Sequence, residues 1–158
     1  MAAGSASNVA PESPNVRIYF AAPLFTTAER AFNAALAERI RAGGHEVFLP
    51  QATEATTKNP AGIFAKNLRG LEWSTCVLGI MDGVDPDSGT AWEIGWAYAT
   101  GRPVILLRTD FRIWDETGAP YNLMLTESAV ERFELSAPTV EEAADAVLGA
   151  LARLERAA

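Results

Sequence analysis

Two carboxylates six residues apart, Asp87 and Glu93, stand in the run Asp87-Ser88-Gly89-Thr90-Ala91-Trp92-Glu93-Ile94-Gly95. The run follows an apolar, strand-like segment and opens a helix. An ionised carboxylate facing a cleft is a competent nucleophile toward a sugar anomeric carbon. A second carboxylate beside it can position what is attacked. Glu93 is expected within about one turn of the helix N-terminus, where the positive end favours the ionised form. Asp87 or Ser88 suits the N-cap, and Gly89 lets a ligand approach the backbone closely. A structural reading accounts for the same residues, because caps and dipole-complementing acids are ordinary at helix starts. Spacing alone leaves both readings open.

Other chemistries find less support. Asp82, Asp85 and Asp87 raise a magnesium site, but acidic turn residues are more often simply solvated, and no metal is expected. His45 is the sole histidine and sits in a Gly-Gly-His-Glu turn, so a His-based triad or zinc centre has no basis. The glycines form neither a G-x-G-x-x-G nor a Walker loop, and no cofactor is expected. A net charge of -7 argues against a nucleic-acid partner, which would want a basic face. A small, uncharged or weakly charged substrate fits better. Cys76 is the single cysteine. It lies in an apolar run, reads as buried packing, and is consistent with a reducing cytoplasm. No apolar run reaches the length of a membrane span.

The elements that must position these groups follow from periodicity. Residues 1–15 read as a flexible leader, and residues 16–158 as one domain. Val16 to Ala22 is a buried first strand, closed by Pro23. Thr26 and Glu29 make a capping box for a helix whose Phe32, Leu36 and Ile40 share a face. Gly43-Gly44 stops it. Glu46 to Leu49 is a short second strand, with Gln51 just past its end. Residues 52–59 form a polar loop. A second helix is predicted from Pro60 to about Ser74, with Ile63, Phe64, Asn67, Leu68 and Leu71 on one face and Asn67 its polar interruption. Cys76 to Met81 is a third, nearly all-apolar strand. The helix carrying Glu93 ends at Gly101-Arg102-Pro103, and Val104 to Leu107 is the fourth strand. Residues 108–128 form a long connection, Glu131 to Leu135 a short fifth edge strand, and Thr139 and Glu142 cap the last helix. Trp73, Trp92 and Trp96 read as core or subunit contact. Phe25 can stack on a base or staple the first helix. Alternation of strand and helix predicts a doubly wound α/β sandwich. In such a sheet ligands bind beyond the carboxyl ends of the strands at the switch in strand order. That edge gathers residues 22–25, Gln51, residues 82–93 and residues 108–112, and Tyr19 can face it.

Read together, Ile18-Tyr19-Phe20-Ala21-Ala22-Pro23-Leu24-Phe25, Phe48-Leu49-Pro50-Gln51, Asp87-Ser88-Gly89-Thr90-Ala91-Trp92-Glu93-Ile94-Gly95, Arg108-Thr109-Asp110-Phe111-Arg112 and Tyr121-Asn122-Leu123-Met124 resemble the nucleoside 2-deoxyribosyltransferase family. The likeness spans residues 16 to about 150. It implies a flavodoxin-like fold with a five-stranded, mainly parallel sheet. It implies transfer of 2-deoxyribose between nucleobases through a covalent sugar–enzyme ester, with 2'-deoxynucleosides and free nucleobases as the molecules bound. The family nucleophile falls on Glu93, its 5'-hydroxyl-binding carboxylate on Asp87, and a tyrosine near the nucleophile on Tyr19. Gln51 matches a base-contacting glutamine. Phe25, Gly89 and Met124 join the substrate-binding set. Asn122 matches an asparagine donated by a neighbouring subunit, which implies a homo-oligomer. Two positions depart. Asn67 stands where some members carry an aspartate that protonates the leaving base, and an amide hydrogen-bonds a base but is no general acid. Thr75 stands where members often have an aspartate. The competing expectations are a hydrolase that gives the sugar of a nucleoside or nucleoside 5'-monophosphate to water, and a non-catalytic nucleotide sensor on the same scaffold.

Overall fold

The structure is a computed structural model that describes residues 15–52, 59–112 and 120–157. The expected leader and most of the 52–59 loop lie outside the described residues. Five strands form one sheet in the order β2-β1-β3-β4-β5. They are β1 (Arg17–Ala21), β2 (Glu46–Phe48), β3 (Cys76–Ile80), β4 (Val104–Arg108) and β5 (Glu131–Glu134). Every pairing is parallel, so the sheet is wholly rather than mainly parallel. The helices are α1 (Thr27–Ala42), α2 (Pro60–Trp73), α3 (Ser88–Ala99), α4 (Leu123–Thr126) and α5 (Val140–Ala157). The 2-1-3-4-5 order is that of doubly wound flavodoxin-like sheets, whose ligand crevice opens between β1 and β3.

Strand alternation assigns the two faces. Ile18 and Phe20 of β1 point toward α1 and α5, and join Leu36, Ile40, Leu78, Ile105, Val147 and Leu151. Tyr19 and Ala21 point the other way and join Leu71, Val77, Ile94, Leu106 and Tyr121. The second face is the one covered by α2, α3 and α4, and it delivers Tyr19 beneath the candidate chemistry.

Both predicted capping boxes form. Thr26 and Glu29 exchange bonds at the start of α1, and Thr139 and Glu142 do so before α5. Asn59 caps α2 by accepting from the Ala61 amide, with Pro60 at the first helical position where its missing N–H costs nothing. Thr75 has a structural job. Its amide donates to the Arg17 carbonyl at 2.7 Å and its Oγ1 accepts from the Arg17 amide at 3.1 Å, so it fastens the start of β3 to the start of β1.

Each strand differs from the sequence reading at its ends: β1 is shorter by one residue at either end, β2 stops at Phe48, β3 at Ile80 and β5 at Glu134, and β4 runs one residue further to include Arg108. The 108–128 connection also contains α4, a single turn too short for periodicity to mark.

Gly79 sets how closely α3 lies on the sheet. A Cβ there would come within 2.7 Å of Ile94 Cδ1 and 2.9 Å of Leu106 Cδ2, well inside contact distance. Gly79→Ala is therefore expected to destabilise the fold by about 1–3 kcal/mol through overpacking, read as a lowered midpoint in urea with an unchanged m-value.

Candidate active site

A cleft of about 480 Å³ opens between α2 and α3, lined by Pro60, Ile63, Phe64, Asn67, Leu68, Leu71, Gly89, Trp92 and Glu93. Its walls are mostly apolar and aromatic, and Asn67 and Glu93 are its polar side chains. At its rim Phe64 and Trp92 meet edge to face, with ring centroids 5.7 Å apart. Both are largely exposed, at 55% and 49%. Such a slot suits a flat heteroaromatic ring with one polar edge.

Glu93 sits at the sixth position of α3, not in its first turn. It therefore faces sideways into the cleft rather than sitting at the helix end. Tyr19 Oη donates to Glu93 Oε1 at 2.5 Å, and the Tyr19 ring is stacked on Phe48 at 5.4 Å. β1 thus fixes one carboxylate oxygen from below while the side chain borders the cleft.

Position also decides the charge. The sequence reading expected the helix end to hold Glu93 ionised. Instead burial dominates and pushes its carboxyl up to about 7. The Tyr19 hydrogen bond pulls it down and the negative charge of Asp87 pushes it up, both to a lesser degree. Tyr19 is raised far above the ordinary phenol range, by burial first and by Glu93 second, so it stays a neutral donor.

Asp87 is the N-cap of α3. Its Oδ2 accepts from the Thr90 amide at 2.9 Å and from Thr90 Oγ1 at 3.2 Å. Gly89 belongs here too, since a Cβ on it would lie 3.0 Å from Asp87 Oδ2.

The loop before α3 is tied to the loop after β4. Arg108 is fully buried and donates to the carbonyls of Met81 at 2.7 Å, Gly83 at 3.0 Å and Asp110 at 3.2 Å. Asp82 accepts from the Thr109 and Asp110 amides at 2.6 and 3.1 Å and from Thr109 Oγ1 at 2.5 Å. Asp110 accepts from the Gly83 amide at 3.1 Å. Gly83 adopts a φ of 116°, a conformation that costs other residues dearly. Asp110 also pairs with Arg112, which is the chief reason that its carboxyl is held down at about 2. Of the three aspartates raised as magnesium ligands, Asp82 and Asp87 are thus engaged with protein donors. Among the described residues no group of three or more His, Cys, Asp or Glu could hold a metal ion.

The structure brings together Tyr19, Asn67, Gly89 and Glu93, with Asp87 close enough for its charge to act on Glu93. It does not gather the rest around this cleft. Phe25 is 74% exposed. It precedes the α1 cap, where its amide donates to Glu29, and Arg30 occupies the position an apolar staple partner would need. Gln51 is engaged on the other side of β1. Its Nε2 donates to the Arg30 carbonyl at 2.7 Å and its Oε1 accepts from Asn33 at 3.2 Å. Asn122 caps α4 by accepting from the Met124 amide at 2.9 Å. Neither Asn122 nor Met124 lines the cleft, and Met124 is 74% exposed. His45 lies far from this site, buried 3.9 Å from Glu155 of α5.

Pro60, Ile63, Phe64, Leu68 and Leu71 were read from sequence only as parts of α2, yet they line the cleft, and two further contributors were not picked out as site residues. Trp92 read as core or subunit contact, yet it walls the cleft. Arg108 read as loop, yet it is the buried tie under the α3 approach. The available signals were an amide interrupting the apolar face of α2 and a charge ending an otherwise apolar strand.

A parallel 2-1-3-4-5 sheet with a carboxylate-bearing apolar cleft between α2 and α3 defines a doubly wound α/β protein with a candidate small-molecule site. Residues 18–124 match the family model for nucleoside 2-deoxyribosyltransferase, and the chain belongs to that family, whose enzymes act on N-glycosidic bonds. The fold is similar to a 2-deoxyribosyltransferase from Bacillus psychrosaccharolyticus, at 29% identity and TM-score 0.64 over 83% of this chain and 94% of that one. A conserved protein from Enterococcus faecalis V583 aligns with TM-score 0.70 and 25% identity, covering 86% of this chain and 99% of its own. The CMP N-glycosidase of Clostridium botulinum, at 21% identity and TM-score 0.58 over 87% and 98% of the two chains, shares the fold alone. No curated protein sequence matches. Among the described residues no helix is long and apolar enough to cross a membrane.

Proposed function

We propose that the protein transfers 2-deoxyribose between nucleobases by a retaining double displacement on Glu93. The observation that carries this reading is a carboxylate lining a base-sized apolar cleft with one oxygen held by Tyr19 at 2.5 Å. In the first step a Glu93 oxygen forms a bond to C1' of a bound 2'-deoxynucleoside. The N-glycosidic bond breaks, and its electron pair leaves with the base. In the second step a nitrogen of another base attacks C1', the ester bond breaks with its electron pair returning to Glu93 as carboxylate, and the proton lost by the incoming base goes to solvent, from which the departed base anion takes one. Glu93 attacks the face of C1' opposite the departing base and the second base arrives on the face the first one left, so two inversions preserve the anomeric configuration. A sugar without a 2'-hydroxyl reaches its oxocarbenium-like transition state more easily, which favours deoxynucleosides.

Family membership and the likeness to a solved 2-deoxyribosyltransferase support this assignment. Tyr19 orients the carboxylate and lowers its proton affinity. Ile63, Phe64, Leu68, Leu71 and Trp92 sandwich the base, with Asn67 hydrogen-bonding its edge. Among the described residues that line the cleft, Glu93 is the only titratable one. Asp87 anchors the 5'-hydroxyl with the oxygen not spent on Thr90. Phe25, Gln51, Asn122 and Met124 stand outside the cleft of one chain, and a homo-oligomer in which Asn122 and Met124 close a neighbour's site suits their exposure.

The hydrolase is the second reading, because water can replace the second base. Asp87 weighs against its nucleoside 5'-monophosphate form, since a carboxylate at the 5' position repels a phosphate. Incubating a deoxynucleoside with and without a second base tests the proposal. Transfer predicts that the new nucleoside accumulates faster than free deoxyribose; release of deoxyribose at one rate in both mixtures would reject it. Asp87→Asn separates capping from chemistry. Asn and Asp cap equally well while Ala loses about 1 kcal/mol. The Asn variant is therefore expected to keep wild-type stability and still lose about tenfold or more in kcat/KM through poorer positioning, measured by thermal melts beside initial rates.

A further inference from the structure

Helix α2 has two working sides. One lines the cleft; the other borders a groove of about 570 Å³ against β2 and the end of α1, whose lining includes Arg41, His45, Phe48, Lys66, Arg69 and Trp73. In a chain of net charge -7, this groove gathers three permanent cations and the only histidine. Its one acid, Glu46, is turned to Asn15, whose Nδ2 donates to it at 3.0 Å. Arg41 is held in place by donating to the Val47 carbonyl at 2.9 Å and by an ion pair with Glu38 at 2.5 Å, and Lys66 by donating to the Pro50 carbonyl at 3.0 Å. Arg69 is exposed and makes no hydrogen bond or ion pair among the described residues. The floor is aromatic, with Phe48 and Trp73 both half-buried. It is also rigid. Phe48 is stacked on Tyr19, and α2 rests on the Phe48 ring at Gly70, where a Cβ would come within 2.6 Å of Cε1. Arg17 lies over Trp73 at 5.8 Å and donates to its carbonyl at 2.8 Å, fixing that side chain as well.

We propose that this groove is a second ligand site, taking a planar aromatic anion of nucleoside monophosphate size. The ring lies against Phe48 and Trp73. The phosphate is taken by Arg69, whose planar fork pairs with phosphate oxygens two at a time, with Lys66 supplying further positive charge. Electrostatics separate the two sites: the cleft holds Glu93 with Asp87 beside it and favours a neutral ligand, whereas the groove favours an anionic one. The proposal is independent of whether Glu93 is a nucleophile.

The two tryptophans report the two sites separately. In a titration of the full chain with AMP followed by nuclear magnetic resonance, the Trp73 indole N–H should shift and saturate with a Kd of about 1 mM or tighter. Arg69→Glu, at an exposed helix position, should weaken that response at least tenfold. Inorganic phosphate alone should bind more weakly than AMP, because it lacks the ring. No shift of Trp73, an equal shift in Arg69→Glu, or a response confined to Trp92 would overturn the assignment, the last by placing the nucleotide in the cleft.

Discussion

Glu93→Gln should abolish sugar transfer, by at least about 10⁴-fold in kcat, and leave the fold intact. Loss of a covalent nucleophile removes the step itself rather than one contact, and such deletions rank among the largest single-residue effects in enzymes. The same variant carries a stability signature that a purely structural Glu93 at the surface would not. Its carboxyl titrates at about 7 in the fold against an ordinary value of 4.5. Between those values the native state binds the extra proton, so stability falls as pH rises through that window. Stability due to the protonated form is fully present below pH 4.5 and lost above pH 7. Glutamine mimics the protonated form and has no such slope. Wild type and variant should run parallel in acid, and the variant should become more stable by up to about 3 kcal/mol at pH 8. Urea midpoints across pH check this. Parallel curves throughout would mean that the carboxylate is not desolvated.

Tyr19→Phe should move the pH dependence of catalysis toward alkali. A nucleophilic carboxylate must be ionised, so log kcat/KM of the wild type should climb about one unit per pH unit below 7 and level off above it. The hydroxyl of Tyr19 is the one group that lowers the Glu93 proton affinity; burial and Asp87 both raise it. A hydrogen bond to a charged group is worth about 1.5–3 kcal/mol, so its loss should displace the limb upward by about one to two pH units. The variant should look severely impaired at pH 6 and much less so at pH 9. An equal loss at both would assign Tyr19 to packing on Phe48 rather than to the carboxylate.

The scaffold was legible because its determinants are local. Apolar runs such as Cys76 to Met81, the capping pairs Thr26/Glu29 and Thr139/Glu142, and Pro60 at a helix start each fix an element without reference to the rest of the chain. The pair of Tyr19 with Glu93 is different. Their side chains meet across 74 positions, and no periodicity marks that contact; the resemblance to a family did. The sense of the Glu93 shift was misjudged for the same reason. A dipole acts near the helix end, whereas desolvation depends on Leu71, Trp92 and the β1 floor, which only the folded chain assembles. Arg108 was missed because a lone charge at a strand end looks like surface until three carbonyls are found around it. α4 escaped because four residues carry too little pattern. Asn122 and Met124 stay apart from the cleft in a single chain.

The central claim is that Glu93 carries the sugar. Rapid acid quench of the protein turning over a 2'-deoxynucleoside, followed by proteolysis and mass spectrometry, tests it directly. The account predicts a deoxyribosyl adduct on the peptide containing Glu93, localised to that residue, cleared by adding a second base and absent in Glu93→Gln. An adduct on another side chain, or turnover that persists in Glu93→Gln, would contradict it.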